Sequence, residues 1–513
     1  METRRLFLRS LFTTLHHFPL GNVNAVPNFH GTPRRRAPFS PPMSQTHLPL
    51  REKLAYGCGD FASCLYWRTF MVYLPFFYTE VFGITAAALG TMLLVSRIWD
   101  GVNDPVIGML ADRTETRWGK FRPYIIYGCV PFAILGVMTF TTPDFGMTGK
   151  LIWAYIAYNG LMMLYTTVNI PYTAMLGVMT TSAAERTQLS SVKFVFAFSA
   201  GVVVSATLLP LVDMFGGADN PQRGWQLAFV VYGLAAIGLF LVTGFGTRER
   251  IKPTPSADTS VKRDLRFLFA NNAWLLLTAT TLTWILFVGL RSSVSAHYFK
   301  YYIYNGSPDT PLPFLGFNFT LTGLLSAFNT VGQASSVAGV LMTGFLASRF
   351  AKRSLFFTLF IISILCYVSY YFLSPGELGA IFAIEVLGNI TGAPLPVLLW
   401  AMYADTADYG EWKTGRRTTA LVFSASTMSQ KIGWALSAFI ALHLMSFAGF
   451  EANVIPTEKV KDSIVSLMSI FPAALGVVAL VIFYFYPLTD KRVAEINEEL
   501  AARRAAAGLP SEG

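Results

Sequence analysis

Charge is what this sequence has least of. Asp, Glu, Lys and Arg together make up 13% of its 513 residues, about half the share usual in a soluble domain, and that scarcity argues against a soluble protein. Cysteine is scarcer still. The four present, Cys58, Cys64, Cys129 and Cys366, lie in apolar stretches with no CxxC pair. No histidines gather at metal-ligand spacing, so neither a disulfide scaffold nor a zinc centre is expected. Acids are outnumbered, 29 Asp and Glu against 39 Lys and Arg, for a formal charge of +10. The surplus sits in short loops between apolar runs, a distribution that sets membrane topology. It is not the patch that a nucleic acid would need. No nucleophile–base pair or metal cluster lies near the ends of the runs, so no enzyme is indicated.

Hydrophobic residues, in contrast, make up 53% of the chain. Apolar stretches near the roughly 20 residues that span a bilayer fall at about 56–80, 86–110, 123–142, 151–178, 190–212 and 226–246. A polar segment over 247–272 interrupts them, and six more follow at about 273–304, 317–348, 354–373, 378–403, 418–448 and 464–486. Basic residues crowd the even-numbered exits: Arg113, Arg117 and Lys120; Arg186; Arg248 and Arg250; Arg349, Lys352 and Arg353; Lys413 and Arg417; Lys491. Both termini are therefore expected in the cytoplasm. "GMLADRTETRWGKFR" leaves the second stretch and "GFLASRFAKR" the eighth, an echo between halves. The expected architecture is an all-α membrane protein of the major facilitator type, with twelve transmembrane helices in two six-helix halves. Its parts would be 51–246, a middle loop over 247–272, 273–490 and a tail over 491–513. Residues 1–50 carry Arg4, Arg5, Arg9 and Arg34 to Arg36, with Glu2 their only acid. That composition fits an organellar transit peptide; the simpler reading is a start assigned too far upstream, with Met43 the true one.

Charge inside an apolar stretch costs about 2.5–3.5 kcal/mol on insertion scales, so it usually faces a cavity and marks a pathway. Asp60, Arg68, Arg97, Asp100, Asp104, Arg291, Glu385 and Lys431 are so placed, with Lys193 near a boundary. Arg97, Asp100 and Asp104 fall at i, i+3 and i+7 on one helical face, with Asn103 beside them. A plainer reading makes Asp100 a partner for Arg97 and Asp104-Pro105 a turn. Thr166, Asn169 and Thr173 form a second stripe around Pro171, which frees a carbonyl where a helix lines a cavity; an ordinary interhelical hydrogen-bond stripe is the alternative. Asp60, Cys64 and Arg68 stack along the first stretch, and Gln430, Lys431 and Trp434 along the eleventh.

"KLAYGCGD", "RIWDGVNDPVIGMLADRTETRWGKFRPY", "NIPY" and "ADTADYGEWKTGRR" resemble the glycoside–pentoside–hexuronide:cation symporter family over residues 51 to 490. The resemblance implies cation-coupled uptake of a glycoside, pentoside or related oligosaccharide by alternating access across the plasma membrane (a bacterial inner membrane). It implies no cofactor beyond the coupling cation, Na⁺ or H⁺, and no partners beyond the sugar and membrane lipid, as a monomer. It places the cation site on Asp100, Asn103, Asp104 and Thr166. Two carboxylates buried together repel and lose solvation, which raises their appetite for a cation, and oxygen-only donors tilt the choice toward Na⁺. The family's gating cluster falls on Arg186, Asp405, Asp408 and Arg417, and Asp112 and Arg113 belong to a second latch. The sugar site departs from the family's melibiose carriers: Cys64 and Asn169 replace acids, Thr173 and Pro396 replace aromatics, and Phe194 replaces an arginine, with Lys193 adjacent. Lys431 matches a family lysine. Asp60, one turn before Cys64, could supply a missing carboxylate, and Arg291 could meet a substrate acid or pair within the membrane. Asn169, Tyr172, Thr173, Gln430 and Lys431 are the expected partners of sugar hydroxyls. The rival reading on the same scaffold is a carrier of lysolipid or another amphiphile.

Overall fold

Helices make up nearly all of the described chain, and many of their ends have a local cause. The computed structural model describes residues 47–180, 183–217, 219–250, 266, 268–307, 310–415 and 419–506. The expected start at Met43 and the gating residue Arg417 lie outside them. Helix α1 (Leu50–Val72) starts behind Pro49 and continues through Leu74–Phe76 and a π turn over Phe77–Phe82, until Gly83 turns left-handed at φ 86°. The Thr85 hydroxyl accepts the Ala88 amide at 3.3 Å and opens α2 (Ala86–Arg113). Helices α3 (Arg122–Thr139), α4 (Met147–Met179), α5 (Ala183–Gly216) and α6 (Pro221–Gly246) follow. Helix α7 (Asn272–His297) is capped by Asn271 and, like α1, runs out in a π turn, Tyr298–Ile303. Next come α8 (Leu321–Arg349), α9 (Lys352–Ser369), α10 (Leu378–Thr414, interrupted at Ala393) and α11 (Thr419–Phe447). Helix α12 (Glu458–Tyr484) bends at Ser469, and α13 (Asp490–Ala506) ends the described chain.

One segment differs from the sequence reading and another adds to it. The eighth apolar stretch, expected from residue 317, opens as a hairpin strand. Strand β1 (Leu312–Phe314) pairs with β2 (Phe317–Phe319), and Leu315 and Gly316, at φ 51° and 81°, turn the chain back. The tail after residue 490 is helical and docks on α10. Trp412 Nε1 donates to Glu499 at 2.7 Å, and Arg503 Nη1 donates to the Trp412 carbonyl at 2.9 Å.

Nine stretches among the described residues are long and apolar enough to cross a membrane. Helices α1, α2 and α11 have the length, at 23, 28 and 29 residues, but polar side chains dilute their hydropathy. They are the helices that carry Asp60 and Arg68, the Asp100–Asp104 stripe, and Lys431.

Packing repeats between α1–α6 and α7–α12. Helix α1 lies against α5 and α6, and α3 against α4 and α6; likewise α7 lies against α11 and α12, and α9 against α10 and α12. The two sets meet where α2 packs on α11 and α5 on α8, pairs that exchange when six is added to each first-set helix number. That is the signature of a parallel repeat. Glycine permits these approaches. A Cβ on Gly90 would stand 2.9 Å from His443 Nδ1, and one on Gly201 2.7 Å from Gln333 Oε1. The end of the bundle where α1 begins is called proximal below, and the other end distal.

Candidate functional site

Helix α2 continues unbroken through Asp104 and Pro105, so its polar stripe stays on one face and no turn forms there. The two acids are not a bare pair, however. Arg97 Nη1 donates to Asp100 Oδ2 at 2.8 Å, and its guanidinium lies 5.1 Å from the centre of the Trp67 ring. Asp104 Oδ1 accepts from the Thr166 hydroxyl of α4 at 2.9 Å, and its Oδ2 accepts from Lys431 Nζ of α11. Lys431, expected beside the sugar, thus meets the expected cation site instead. Each carboxylate carries a cation of its own, which corrects the expectation of two like charges facing each other unrelieved. What stays unsatisfied is Asp100 Oδ1 and Asn103 Nδ2, both buried without a hydrogen-bond partner. Asp100, Asn103 and Thr166 are 3%, 8% and 3% exposed, so these oxygen donors are shielded from water.

A second group joins α1, α4 and α5. Lys193 Nζ lies 3.7 Å from Asp60 Oδ1 and 5.5 Å from the centre of the Tyr172 ring. Tyr172 stacks on Tyr56 at 4.8 Å, and its hydroxyl donates to the Tyr56 carbonyl at 2.9 Å. That hydroxyl was expected on the substrate, but the residue is 0% exposed and already bonded, a packing role. Asn169 Nδ2 donates to Ser63 at 3.2 Å, and exposed Thr173 donates to Asn169 Oδ1 at 3.5 Å. Cys64 and Gln430 are half-buried.

A polar cavity of about 340 Å³ lies between the two sets. Arg68 reaches it from α1 and Phe198 from α5; Trp284, Arg291, Asn329, Gln333, Glu385, Asn389 and Trp434 line it from the second set. Of the two roles expected for Arg291, pairing within the membrane is the one observed. Its Nη2 donates to Glu385 Oε2, and its guanidinium lies 4.6 Å from the Tyr367 and Tyr370 ring centres. Tyr370 also donates to Glu385 Oε2 at 3.0 Å, and Asn389 donates to Oε1 at 2.8 Å. Asn329, Gln333 and Asn389 were missed because they lie apart from the polar stripes of the second, fourth and eleventh stretches; amides in an apolar stretch were the available signal.

Also missed was a cluster that ties the distal ends together. Lys300 Nζ, beyond α7, donates to Glu80 Oε2, beyond α1, and to Asn453 Oδ1, both at 2.6 Å. Tyr301 donates to the same Glu80 oxygen at 2.7 Å, and His297 Nε2 meets the Thr79 hydroxyl at 2.9 Å. Glu80, Lys300 and His297 are 8%, 7% and 0% exposed. Both charges stand in the last turns of the apolar stretches 56–80 and 273–304, where charge looks ordinary.

At the proximal end, the expected gating residues Arg186 and Asp405 have partners in their own set. Arg186 donates to the Thr180 and Gly177 carbonyls at 3.0 and 3.4 Å, and Lys352 donates to Asp405 at 2.5 Å. Arg113 is exposed and Asp408 half-buried, and the Asp112 side chain lies outside the described residues. The latch motif after α2 is held by a residue not foreseen: Glu249 accepts the amides of Lys120, Phe121 and Arg122 at 2.7, 2.8 and 2.9 Å. Glu185 sits before the membrane stretch of α5. Burial works against its charge, yet hydrogen bonds from Lys53, His47 and the Leu48 amide hold its carboxyl below the ordinary range.

Residues 55–490 match the family model described as MFS/sugar transport protein. The chain is similar to the inner membrane symporter YicJ of Escherichia coli (strain K12), 33% identical over 90% of this chain and 96% of that one. It is also similar to the isoprimeverose transporter of Lactiplantibacillus pentosus, 30% identical over 92% of this chain and 97% of that one. Among solved structures, the bacterial homologue of the human lysosomal transporter Spinster, in its inward-facing and occupied conformation, matches with a TM-score of 0.60 at 17% identity. That match covers 86% of this chain and 97% of the other, and the likeness is one of fold.

Proposed function

Because the chain belongs to the MFS/sugar transport family, in its glycoside–pentoside–hexuronide:cation symporter branch, we propose that it moves a glycoside together with Na⁺ by alternating access. It is a multi-pass secondary transporter, not an enzyme. The observation that carries the coupling is Asp104, which holds Thr166 of the first set with one oxygen and Lys431 of the second with the other. A cation that enters beside Asp100 Oδ1, the Asn103 amide oxygen and Asp104 competes with Lys431 for the Asp104 carboxylate. Once displaced, Lys431 is a free donor for a sugar hydroxyl, and Asn169, Thr173 and Gln430 offer further polar groups beyond the wall of the cavity described above. Cation and sugar then favour each other's binding, and by linkage they do so equally.

Sets α1–α6 and α7–α12 are the two halves that rock, and α1, α2 and α11 cross the membrane with the nine more apolar stretches, making twelve spans. The proximal end faces the cytoplasm, as its basic loops support. The described state is then closed on the outside, with the Glu80–Lys300 cluster as the seal. Asp112, Arg113, Arg186, Asp405, Asp408 and Arg417 close the cytoplasmic side in the opposite state. At about 340 Å³ the cavity falls in the usual range of ligand sites, and its amides and guanidinia suit a sugar better than a lipid tail.

Reconstituted vesicles given a panel of labelled glycosides, with Na⁺ and pH gradients imposed separately, test this. Accumulation under the Na⁺ gradient alone is expected. Accumulation under the pH gradient alone would transfer the coupling to H⁺, and accumulation under neither removes symport.

A further inference from the structure

A groove of about 610 Å³ lies at the proximal end, lined by α1 and α6 alone and so away from the cavity between the sets. Leu50, Leu54 and Cys58, one turn apart along α1, form one wall, and Val242 and Phe245 of α6 form the other. All are exposed except half-buried Cys58. Between the walls a Cβ on Gly246 would stand 2.7 Å from the Ala55 Cβ, so the floor is backbone against backbone. Leu50 and Cys58 are about two turns apart, a slot about 12 Å long. Arg51 stands at its mouth. The charges beside it are engaged: Glu52 with Arg250 at 2.7 Å, and Lys53 with Glu185 at 2.8 Å. Among the described residues, the exposed Arg51 side chain has no ion pair or hydrogen bond. At the same end Trp118 meets Phe245 edge to face at 6.1 Å and stacks on Tyr127 at 5.5 Å. Aromatic groups of this kind mark the level where hydrocarbon gives way to headgroups.

We propose that this groove is a binding site for an anionic phospholipid, with an acyl chain between α1 and α6 and the phosphate on Arg51. The proposal rests on α1 crossing the membrane beside α6, and on neither the sugar nor the coupling ion. Walls of leucine, valine and phenylalanine suit a hydrocarbon chain and leave sugar hydroxyls without partners. A guanidinium at headgroup level meets a phosphate in a two-bonded fork. Charge selects among lipids. Glu52 is held by Arg250, and Glu249 by the amides of Lys120, Phe121 and Arg122. Neither carboxylate is left for the ammonium group of a zwitterionic headgroup, and exposed Arg248 adds to the basic rim. The same charge disfavours the chain's own leading segment as occupant, because residues 1–46 carry Arg4, Arg5, Arg9 and Arg34 to Arg36 against the single acid Glu2.

The test titrates the purified, delipidated full chain in neutral detergent with phosphatidylglycerol and with phosphatidylcholine of the same acyl chains. Bound lipid is counted by native mass spectrometry. Phosphatidylglycerol is expected to bind about fivefold more tightly, the ratio that one arginine near an anionic headgroup gives. Arg51→Gln should bring it to the level of phosphatidylcholine, and Arg51→Lys, which keeps the charge, should retain most of the preference. Occupancy of the groove itself is read at Cys58, in a background where Cys64, Cys129 and Cys366 are serine. Phosphatidylglycerol should slow maleimide labelling of Cys58 several-fold, and inorganic phosphate should not. Equal binding of the two lipids, an unaltered preference in Arg51→Gln, or unprotected Cys58 overturns the proposal. Protection by inorganic phosphate would do so as well, since it would mean an anion site that needs no acyl chain. These readouts use no gradient and no sugar, so loss of glycoside symport would leave the lipid site standing, and symport without lipid selectivity would do the reverse.

Discussion

Asp104 shows how one side chain can serve two halves of a molecule. Its Thr166 contact needs only an acceptor oxygen, whereas its Lys431 contact needs a negative charge. Asp104→Asn separates the two needs: the amide oxygen still accepts from Thr166, but Lys431 is left beside a neutral group. Breaking one side of a buried pair costs about 3–5 kcal/mol. Here the side chains of Lys431 and Asp104 are 27% and 25% exposed, so water screens part of that. A loss of about 1–2 kcal/mol is expected, read as a lowered Tm of the purified protein. Adding Lys431→Gln should recover the Tm, because no charge is then stranded. Gradient-driven accumulation should be absent from both variants, and accumulation that survives Asp104→Asn would exclude the coupling role.

Helix crossings decide how much room the site has. Gly339 lies where α8 passes α10, and a Cβ there would stand 2.5 Å from the Ile390 carbonyl oxygen. A backbone atom cannot swing aside as a side chain can, so Gly339→Ala must push the helices apart. The wall between Ser336 and Asn389, joined at 2.9 Å, would open with them. Overpacking of this kind costs about 1–3 kcal/mol, and a lower Tm with impaired uptake is expected. Gly344, on the same helix, has nothing within 4 Å of its would-be Cβ. Gly344→Ala should therefore be neutral or slightly stabilising, since alanine favours a helix by about 1 kcal/mol over glycine. Equal effects of the two substitutions would refute the crossing argument. The π turns that end α1 and α7 have a comparable local effect. They bring Glu80 and Lys300 together at matching places in the repeat, and π turns are frequent at functional sites.

For the whole molecule, the distal cluster is the proposed seal of one face. Glu80 accepts from Lys300 and Tyr301, and its backbone carbonyl accepts from Asn453 at 2.9 Å, so two halves and a distal loop converge on one residue. Glu80→Gln leaves a buried lysine without its counter-charge and should shift the population toward the state open on that face. A cysteine placed at Ser295, on the cavity wall, reports it, in a background whose native cysteines have been replaced by serine. An impermeant maleimide added outside sealed vesicles should react several-fold faster in the Glu80→Gln background. Unchanged labelling would mean that the cluster stabilises the fold without sealing it.

Much of this was readable from the chain. The bilayer permits few backbone solutions, so long apolar runs announce helices and basic loops their order, and echoed motifs announce the repeat. The polar stripe of α2 could be placed on one face from spacing alone, because 3.6 residues per turn leaves no other arrangement. Three things escaped. The pairing of Lys431 with Asp104 joins residues 327 positions apart, and no local pattern carries that. Amides such as Asn329 and Gln333 are cheap enough in a helix not to stand out until a cavity is seen beside them. Glu80 and Lys300 sat at the edges of apolar runs, where charge looks ordinary until the halves close over it. The sequence by itself determined that the chain is a two-part helical membrane protein with costly charges in α1, α2, α7, α10 and α11, because burial energy is written in composition and period. Only the tertiary structure decided which charge meets which. Apart from Arg97 with Asp100 on one helix, these pairs depend on distances between helices, within a half or across the two, and those distances exist only once the helices have packed.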